Sequence, residues 1–545
     1  MNNPTQHQSS ILATCRRAAG TALALAIMLV PAILATGSAQ SQTYTESVLH
    51  TFTNAPDGAS PTGSVLDAKG NLYGTTDYGG DSACDAPYGC GTVFKLDTTG
   101  KETVLYSFTG AGGDGANPWA GLVLDAKGNL YGTTTAGGNL ACSAPDGCGT
   151  VFKLDTTGKE SVLYSFIGSP DGSKPESGLV LDAKGNLYGT TRDGGAYDNG
   201  TVFELDTTGN ESVLYSFTGG ADGSTPEAKV VRDAQGNLYG MTKVGGAYGY
   251  GTVFELNTTG NETVLYSFAG GTDGSDPRGP VLLDTQGNLY GMTDNGGDLA
   301  CVPADGGYGC GTVFKLDTAG NITVLYAFTG TGGGGAGPDY SGLVQGADGN
   351  LYGTTTTGGD LACFAAYGWP YGCGTAFKLD TSGKETVLYA FTGAGGDGAG
   401  PIAGLEQDAK GNLYGGTAVA GDLACTTGPL SQGTVPGCGT VFKLTIAKLT
   451  KTATTLTSTP NPSTYGVAVT FTAVVTPAPP DGETVSFMKG KTVLGTGTLS
   501  GGTATFVTST LKVGTTSVTA VYGGDSNFAA SKSKPVKQVV EKAEE

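Results

Sequence analysis

The tetrapeptide Asn-Leu-Tyr-Gly occurs seven times, beginning at Asn71, Asn129, Asn186, Asn237, Asn288, Asn350 and Asn412. Successive copies stand 58, 57, 51, 51, 62 and 62 residues apart. A recurrence of this length means a stack or ring of similar units, not one conventional domain.

The first complete unit shows what is repeated. Gly63–Asp67 (GSVLD), Asn71–Thr76 (NLYGTT), Gly91–Asp97 (GTVFKLD) and Glu102–Phe108 (ETVLYSF) are short runs rich in Val, Leu, Tyr, Phe and Thr. Each is bounded by Gly, Asp or Asn, which is strand chemistry. No stretch of the repeats keeps a helical period. The links Asp67–Gly70 and Asp97–Gly100 both read D-x-x-G. The Asp carboxylate accepts backbone N–H groups at the start of a type I turn, and Gly tolerates the left-handed residue that closes it. Each unit is therefore a four-stranded antiparallel meander, with strands A to D.

Read as regular strands, Val104, Tyr106 and Phe108 face one way and Leu105 the other, while Phe94 and Leu96 oppose Val93. A sheet apolar on both faces must be covered on both. Radial packing of blades does this. The expected fold is all-β: a seven-bladed β-propeller of four-stranded antiparallel blades, followed by an Ig-like β-sandwich. The outer-strand text appears once before any strand A, at Ser47–Phe52 (SVLHTF), and not after Leu444. Residues 46–53 are thus expected to be the outer strand of the last blade, closing the ring and removing its open edge. This resembles the closure of WD-repeat propellers.

The expected division is a signal peptide over 1–40, the propeller over 41–445 and the Ig-like module over 446–545. Arg16 and Arg17 flank the apolar stretch Thr21–Ala35, and Gly37-Ser38-Ala39 suits cleavage. That apolar run is short for a membrane span, so none is expected in the mature chain. Ten further cysteines fall into five neighbouring pairs: Cys84/Cys90, Cys142/Cys148, Cys301/Cys310, Cys363/Cys373 and Cys425/Cys438. All lie between strands B and C. Where a unit lacks the pair, its loop after Gly-Gly shortens to four residues, against 10 to 17 elsewhere. Cysteines that come and go with the insertion they bracket are disulfide partners, and no Cys-x-x-Cys or nearby His suggests a metal. Disulfides imply an oxidising compartment, so the protein is expected to be secreted: extracellular, on the cell surface or periplasmic.

Residues 41–445 hold 18 basic and 42 acidic residues, net −24. This excludes a nucleic-acid partner. The last hundred residues shift to Thr-, Val- and Lys-rich text with alternating strands, the pattern of an Ig-like sandwich without its disulfide. Pro460–Val475, Val485–Leu499 and Val521–Phe528 resemble the bacterial Ig-like repeat domains, which implies spacer or adhesion duty. The recurring D-x-x-G-N-L-Y-G-T-T-x-x-G-G and G-T-V-F-K-L text resembles the GloVer-type tandem-repeat bacterial extracellular proteins. No established activity comes with that resemblance.

Antiparallel alternation puts the A–B and C–D turns on one side of the ring. The variable B–C and D–A loops share the other, and variable loops on a rigid scaffold are where binding sites are built. Candidate ligand-binding residues there are Trp119, in a D–A loop, and Trp369 with Phe364, Tyr367 and Tyr371 in the most aromatic insertion. Such rings stack on sugars or hold peptides; packing of their own loops is the plainer role. Asp57, Asp114, Asp171, Asp222, Asp273 and Asp397 each precede Gly in a D–A loop. A ring of carboxylates near the axis would suit Ca²⁺, the one cofactor considered, although Asp-Gly is also ordinary turn chemistry.

Catalysis has little support. His50 is the one histidine beyond the signal, and there is no phosphate-binding loop. The reading is a monomeric, non-enzymatic binding or surface-interaction protein that recognises extracellular carbohydrate or a protein. Two alternatives stay open: a propeller carbohydrate-active enzyme, hydrolase or lyase, using paired carboxylates, and a structural envelope or matrix component.

Overall fold

The computed structural model describes residues 44–85, 88–301, 308–363, 371–425, 436–447, 449–525 and 527–543. The described residues are all-β and divide into two compact units, Gln42–Lys448 and Leu449–Glu545.

The first unit contains seven four-stranded antiparallel sheets, one per repeat. In the first, β2 (Ala59–Leu66), β3 (Leu72–Tyr78), β4 (Thr92–Leu96) and β5 (Glu102–Ser107) follow in order as strands A to D. The last is completed from the other end of the chain. There β1 (Tyr44–Thr51) pairs with Thr440–Ile446, in register from Tyr44↔Ile446 to Thr51↔Thr440. The closing strand is where the sequence placed it.

One expectation needs correction. The outer strand is not a regular strand. Phe94 pairs with Val104 and Val93 with Tyr106, leaving Leu105 as a bulge. The same leucine is skipped at Leu49, Leu163, Leu214, Leu265, Leu325 and Leu388. Strict alternation therefore stops at this residue. The extra residue bends the outer strand and raises its local twist. Leu105 and its equivalent Leu49 still pack against core clusters.

Two contacts recur in all seven units. Between strands B and C, a threonine pair is fully buried, with hydroxyls 2.8–3.0 Å apart, as in Thr76 with Thr92. Thr76 donates onward to the Tyr78 carbonyl, so the pair is buried without an orphan. Between neighbouring sheets, the Phe after the outer strand meets the Phe of the next sheet's strand C edge-on. These pairs are Phe108–Phe152, Phe166–Phe203, Phe217–Phe254, Phe268–Phe314, Phe328–Phe377, Phe391–Phe442 and Phe52–Phe94, with centroids 4.9–5.3 Å apart. Every ring is fully buried. Edge-on contact is the favoured geometry for such rings.

The A–B turn works as the D-x-x-G text implies. Asp67 Oδ1 accepts the Lys69 and Asn71 N–H groups, and its Oδ2 accepts the Asn71 amide and the Tyr73 hydroxyl. The Tyr of the tetrapeptide thus ties its strand to its own turn.

The second unit is an Ig-like sandwich. A three-stranded sheet (Ala453–Thr459, Val469–Thr476, Thr503–Thr508) and a six-stranded sheet enclose one core that includes Phe471, Phe487, Val518 and Tyr522.

Candidate functional site at the propeller axis

Each D–A loop delivers the chain to the axis through a Pro, and the residue before that Pro is locked. Ser60, Asn117, Lys174, Thr225 and Asp276 have φ between 52° and 59°, and Gly337 and Gly400 stand at 57° and 62° in the same position. Left-handed backbone at five non-glycine positions stores strain, which persists only where surroundings over-determine it. Here the determinant is a hydrogen bond across the blade boundary. The N–H of Asn117 donates to the Cys90 carbonyl at 2.9 Å, that of Lys174 to Cys148 at 3.0 Å, and that of Ser60 to Cys438 at 2.8 Å. The five disulfides, Cys84–Cys90, Cys142–Cys148, Cys301–Cys310, Cys363–Cys373 and Cys425–Cys438, therefore secure the acceptor that aims the next loop. In the two units without one, the Asn199 and Tyr250 carbonyls take that place.

The Gly before each TVF run completes the lock. Gly91 has φ of 88°, and a Cβ there would fall 2.6 Å from Pro118 Cδ. Only glycine lets the next loop's proline seat so closely.

In six units the residue following this Pro faces a central cavity of about 360 Å³; in the sixth unit Tyr340, one residue further on, does so, and all seven units contribute to the lining. At its mouth stand Trp119, Glu176, Glu227, Arg278 and Tyr340. Trp119 and Tyr340 come from units two and six, yet their rings meet edge-on at 5.8 Å. The Arg278 guanidinium lies 5.5 Å over the Tyr340 ring, a cation–π contact.

An ion network surrounds Glu227, whose side chain is 1% exposed. Lys243 Nζ lies 3.2 Å from its Oε1, Arg192 Nε 3.6 Å from Oε1, and Arg278 Nε 4.0 Å from Oε2. Arg192 also donates to Glu176 at 2.9 Å, and Arg278 to Asp339 at 3.0 Å. Burial works against the Arg278 charge, but Asp339, Asp294, Tyr340 and Glu227 outweigh it and hold its pKa above the ordinary arginine value. Burial raises Glu176, against the Arg192 hydrogen bond. Glu227 Oε2 and the Nε atoms of Arg192 and Arg278 are buried without a hydrogen bond.

Deeper in the cavity two charged residues stand where the repeat carries uncharged ones. Lys229 occupies a position that is Gly63, Gly121, Gly178, Gly342 and Gly404 in five other units. Glu406 occupies one that is Val65, Val123, Val180, Val231 and Val344 in five others. Burial lowers the Lys229 pKa and raises that of Glu406, and each charge partly offsets the shift of the other.

The family model for the Gloeobacter/Verrucomicrobia repeat matches residues 36–179 and 141–367, more than half of the chain. The chain belongs to this repeat family. The model for the bacterial Ig-like domain, group 3, matches residues 456–541. No curated protein matches the chain. Among solved structures, the extracellular domain of a one-component system from B. thetaiotaomicron is similar at 12% identity and a TM-score of 0.43, over 93% of this chain and 59% of that one. The chain thus spans about three-fifths of that relative's length. A PQQ-bound aldose sugar dehydrogenase from Streptomyces coelicolor is similar at 11% identity and TM-score 0.34, over 75% of this chain and 100% of that one. A polysaccharide lyase, an ulvan lyase, is similar at 10% identity and TM-score 0.37, over 69% and 93%.

Of the residues singled out from sequence, Trp119 stands at the axial mouth, half-buried. Trp369, Phe364 and Tyr367 lie outside the described residues, and Tyr371 is not among those lining the cavity. The six loop aspartates also lie off the cavity wall. Each serves its own loop. Asp114 accepts the Tyr106 hydroxyl at 3.1 Å, the Thr109 N–H at 2.8 Å and the Thr109 hydroxyl at 2.7 Å. Asp171, Asp222, Asp273 and Asp397 take the hydroxyls of Tyr164, Tyr215, Tyr266 and Tyr389 in the same way. Asp57 takes His50 Nε2 at 3.2 Å instead, because His50 replaces that tyrosine in the closing strand. Among the described residues, no three His, Cys, Asp or Glu side chains converge as metal ligands. No described helix is long and apolar enough to cross a membrane.

Sequence reasoning missed Glu176, Glu227, Arg278, Lys229 and Glu406. A signal was present: aligning the units on their common Pro shows that the residue after it is Thr62, Trp119, Glu176, Glu227, Arg278, Asp339 or Ile402, while the flanking text barely changes.

The same face carries a second feature. The second residue after the Gly-Gly turn is Leu140, Tyr197, Tyr248, Leu299, Leu361 or Leu423 in six units, each 42–64% exposed. Ser82 takes that place in the first unit.

Proposed function

We propose that this protein is a secreted, non-enzymatic binding protein that recognises extracellular carbohydrate through the B–C/D–A face of its propeller, centred on the axial mouth. The observation that carries this reading is the mouth itself: Trp119 beside an ion network, opening on a cavity to which every unit contributes. Small-molecule sites combine an apolar lining with a few convergent polar groups, in volumes of roughly 300–1,000 Å³. The five disulfides support export. The Ig-like module fits a spacer role.

The test is a glycan-array and polysaccharide pull-down screen of the mature protein, with and without Ca²⁺. Saturable binding without turnover, lost in Trp119→Ala, is expected. Retention of no polysaccharide, or steady release of reducing ends, would overturn it. A second reading, a protein ligand on the same face, is favoured by the exposed Leu and Tyr crown, because exposed apolar groups gathered on one face mark interaction surfaces.

A further inference from the structure

Lys229 and Glu406 each put a charge where most other units carry an uncharged repeat residue, and both line the axial cavity. They influence each other electrostatically, yet no ion pair within 4.0 Å joins them among the described residues. Two opposite charges facing a shared space without touching define what fits between them. A simple anion would satisfy Lys229 and be repelled by Glu406; a simple cation would do the reverse. A hydroxyl group accepts from an ammonium and donates to a carboxylate, so it answers both. The wall between them is apolar, with Val231, Leu282 and Val344. Above stand the Trp119 and Tyr340 rings and Glu227 Oε2, which is nearly fully buried and makes no hydrogen bond.

We propose that the axial cavity seats a single neutral sugar ring end-on, with Lys229 donating to its hydroxyls and Glu406 accepting from them. This rests on the carbohydrate reading above and sharpens it from a face to a subsite. The apolar wall covers the C–H face of the ring. The terminal residue of a glycan enters the axis, and the rest of the chain runs out over the B–C/D–A loops.

The repeat supplies clean variants. Lys229→Gly and Glu406→Val each restore the residue that five other units already carry, so both are expected to fold with an unchanged Tm. The mature chain and both variants would be titrated calorimetrically with methyl α- and β-glycosides of glucose, galactose and mannose, with glycine betaine as a zwitterionic probe. One or more glycosides should bind the parent chain, and each variant should weaken that binding tenfold or more. If a polysaccharide is retained in the pull-down but no methyl glycoside binds, or if both variants bind like the parent, the axial subsite is wrong and the face reading stands. If betaine binds and the glycosides do not, the cavity is a zwitterion site. If neither polysaccharide nor glycoside binds, both readings fall.

Discussion

Phe52 packs edge-on against Phe94 at 5.1 Å, across the one blade boundary where the two ends of the propeller meet. The six other boundaries carry the same pair, each formed between sheets consecutive in the chain. The ring is therefore shut by an ordinary copy of its own interface, with Phe52 arriving from the N-terminal side. Truncating Phe52 should cost as much as truncating an interior equivalent such as Phe217, about 3–5 kcal/mol for a fully buried Phe→Ala change. Equilibrium urea unfolding of the two variants checks this. A loss under about 1 kcal/mol at Phe52 would contradict closure through this contact.

The half-buried carboxyls of the outer strands set a pH optimum. Glu46, Glu160, Glu211 and Glu262 are pushed up to about 7, chiefly by burial and further by the neighbouring loop aspartate. Each leaves Oε1 buried without a hydrogen bond. Between about 4.5 and 7 the folded chain binds more protons than the unfolded one, so stability falls as pH rises through that window. Desolvation pushes the turn carboxylates of Asp67, Asp125 and Asp284 up, but their several hydrogen bonds together outweigh it and hold them below the ordinary value, so their contribution is lost only as pH falls below about 4. Thermal unfolding should thus show a maximum Tm near pH 4.5 and a decline toward 7. The triple change Glu160→Gln, Glu211→Gln and Glu262→Gln should flatten the decline; a parent Tm rising from pH 5 to 7 would refute the account.

Glu227 and Lys229 are close in sequence but differ in kind. Glu227→Ala would leave Arg192, Lys243 and Arg278 without their shared carboxylate, and breaking a buried charge network costs about 3–5 kcal/mol. Lys229→Gly removes a charge that has no ion-pair partner among the described residues and restores the repeat, so its cost should stay under about 1 kcal/mol. Parallel denaturant titrations decide whether one is scaffold and the other is spare for a ligand.

The disulfides should all be local and all matter. Non-reducing mass mapping is expected to find the five pairs and no bridge between units. Cys84→Ser with Cys90→Ser should lower stability by about 2–3 kcal/mol in the chain-entropy picture. It should also loosen Asn117, whose N–H is held by the Cys90 carbonyl. Faster amide exchange at Asn117 than at Thr225, whose anchor is Asn199, would show that link.

Strand identity, turn chemistry, the ring with its closing strand and the pairing of cysteines were legible in the chain because each is a local pattern repeated seven or five times. Repetition turns a weak local propensity into a strong one. His50 was also visible as a lone histidine, but its role as a stand-in for the outer-strand tyrosine needed the Asp57 contact. The bulge at Leu105 was hidden, since register depends on both strands and not on the text of one.

What the sequence by itself determined is the unit: its four strands, its turns, its apolar strand positions, and the number of times it recurs. What only the tertiary structure decided is which variable residues become neighbours. Trp119 and Tyr340 lie more than two hundred residues apart and come from units two and six, yet they touch at the axis. Lys229 and Glu406 are 177 residues apart in sequence and face one cavity. The physical reason is closure. A local pattern specifies each blade, but only a shut ring brings the inner strands of all blades around one axis, and there the single-residue departures from the repeat collect into one site.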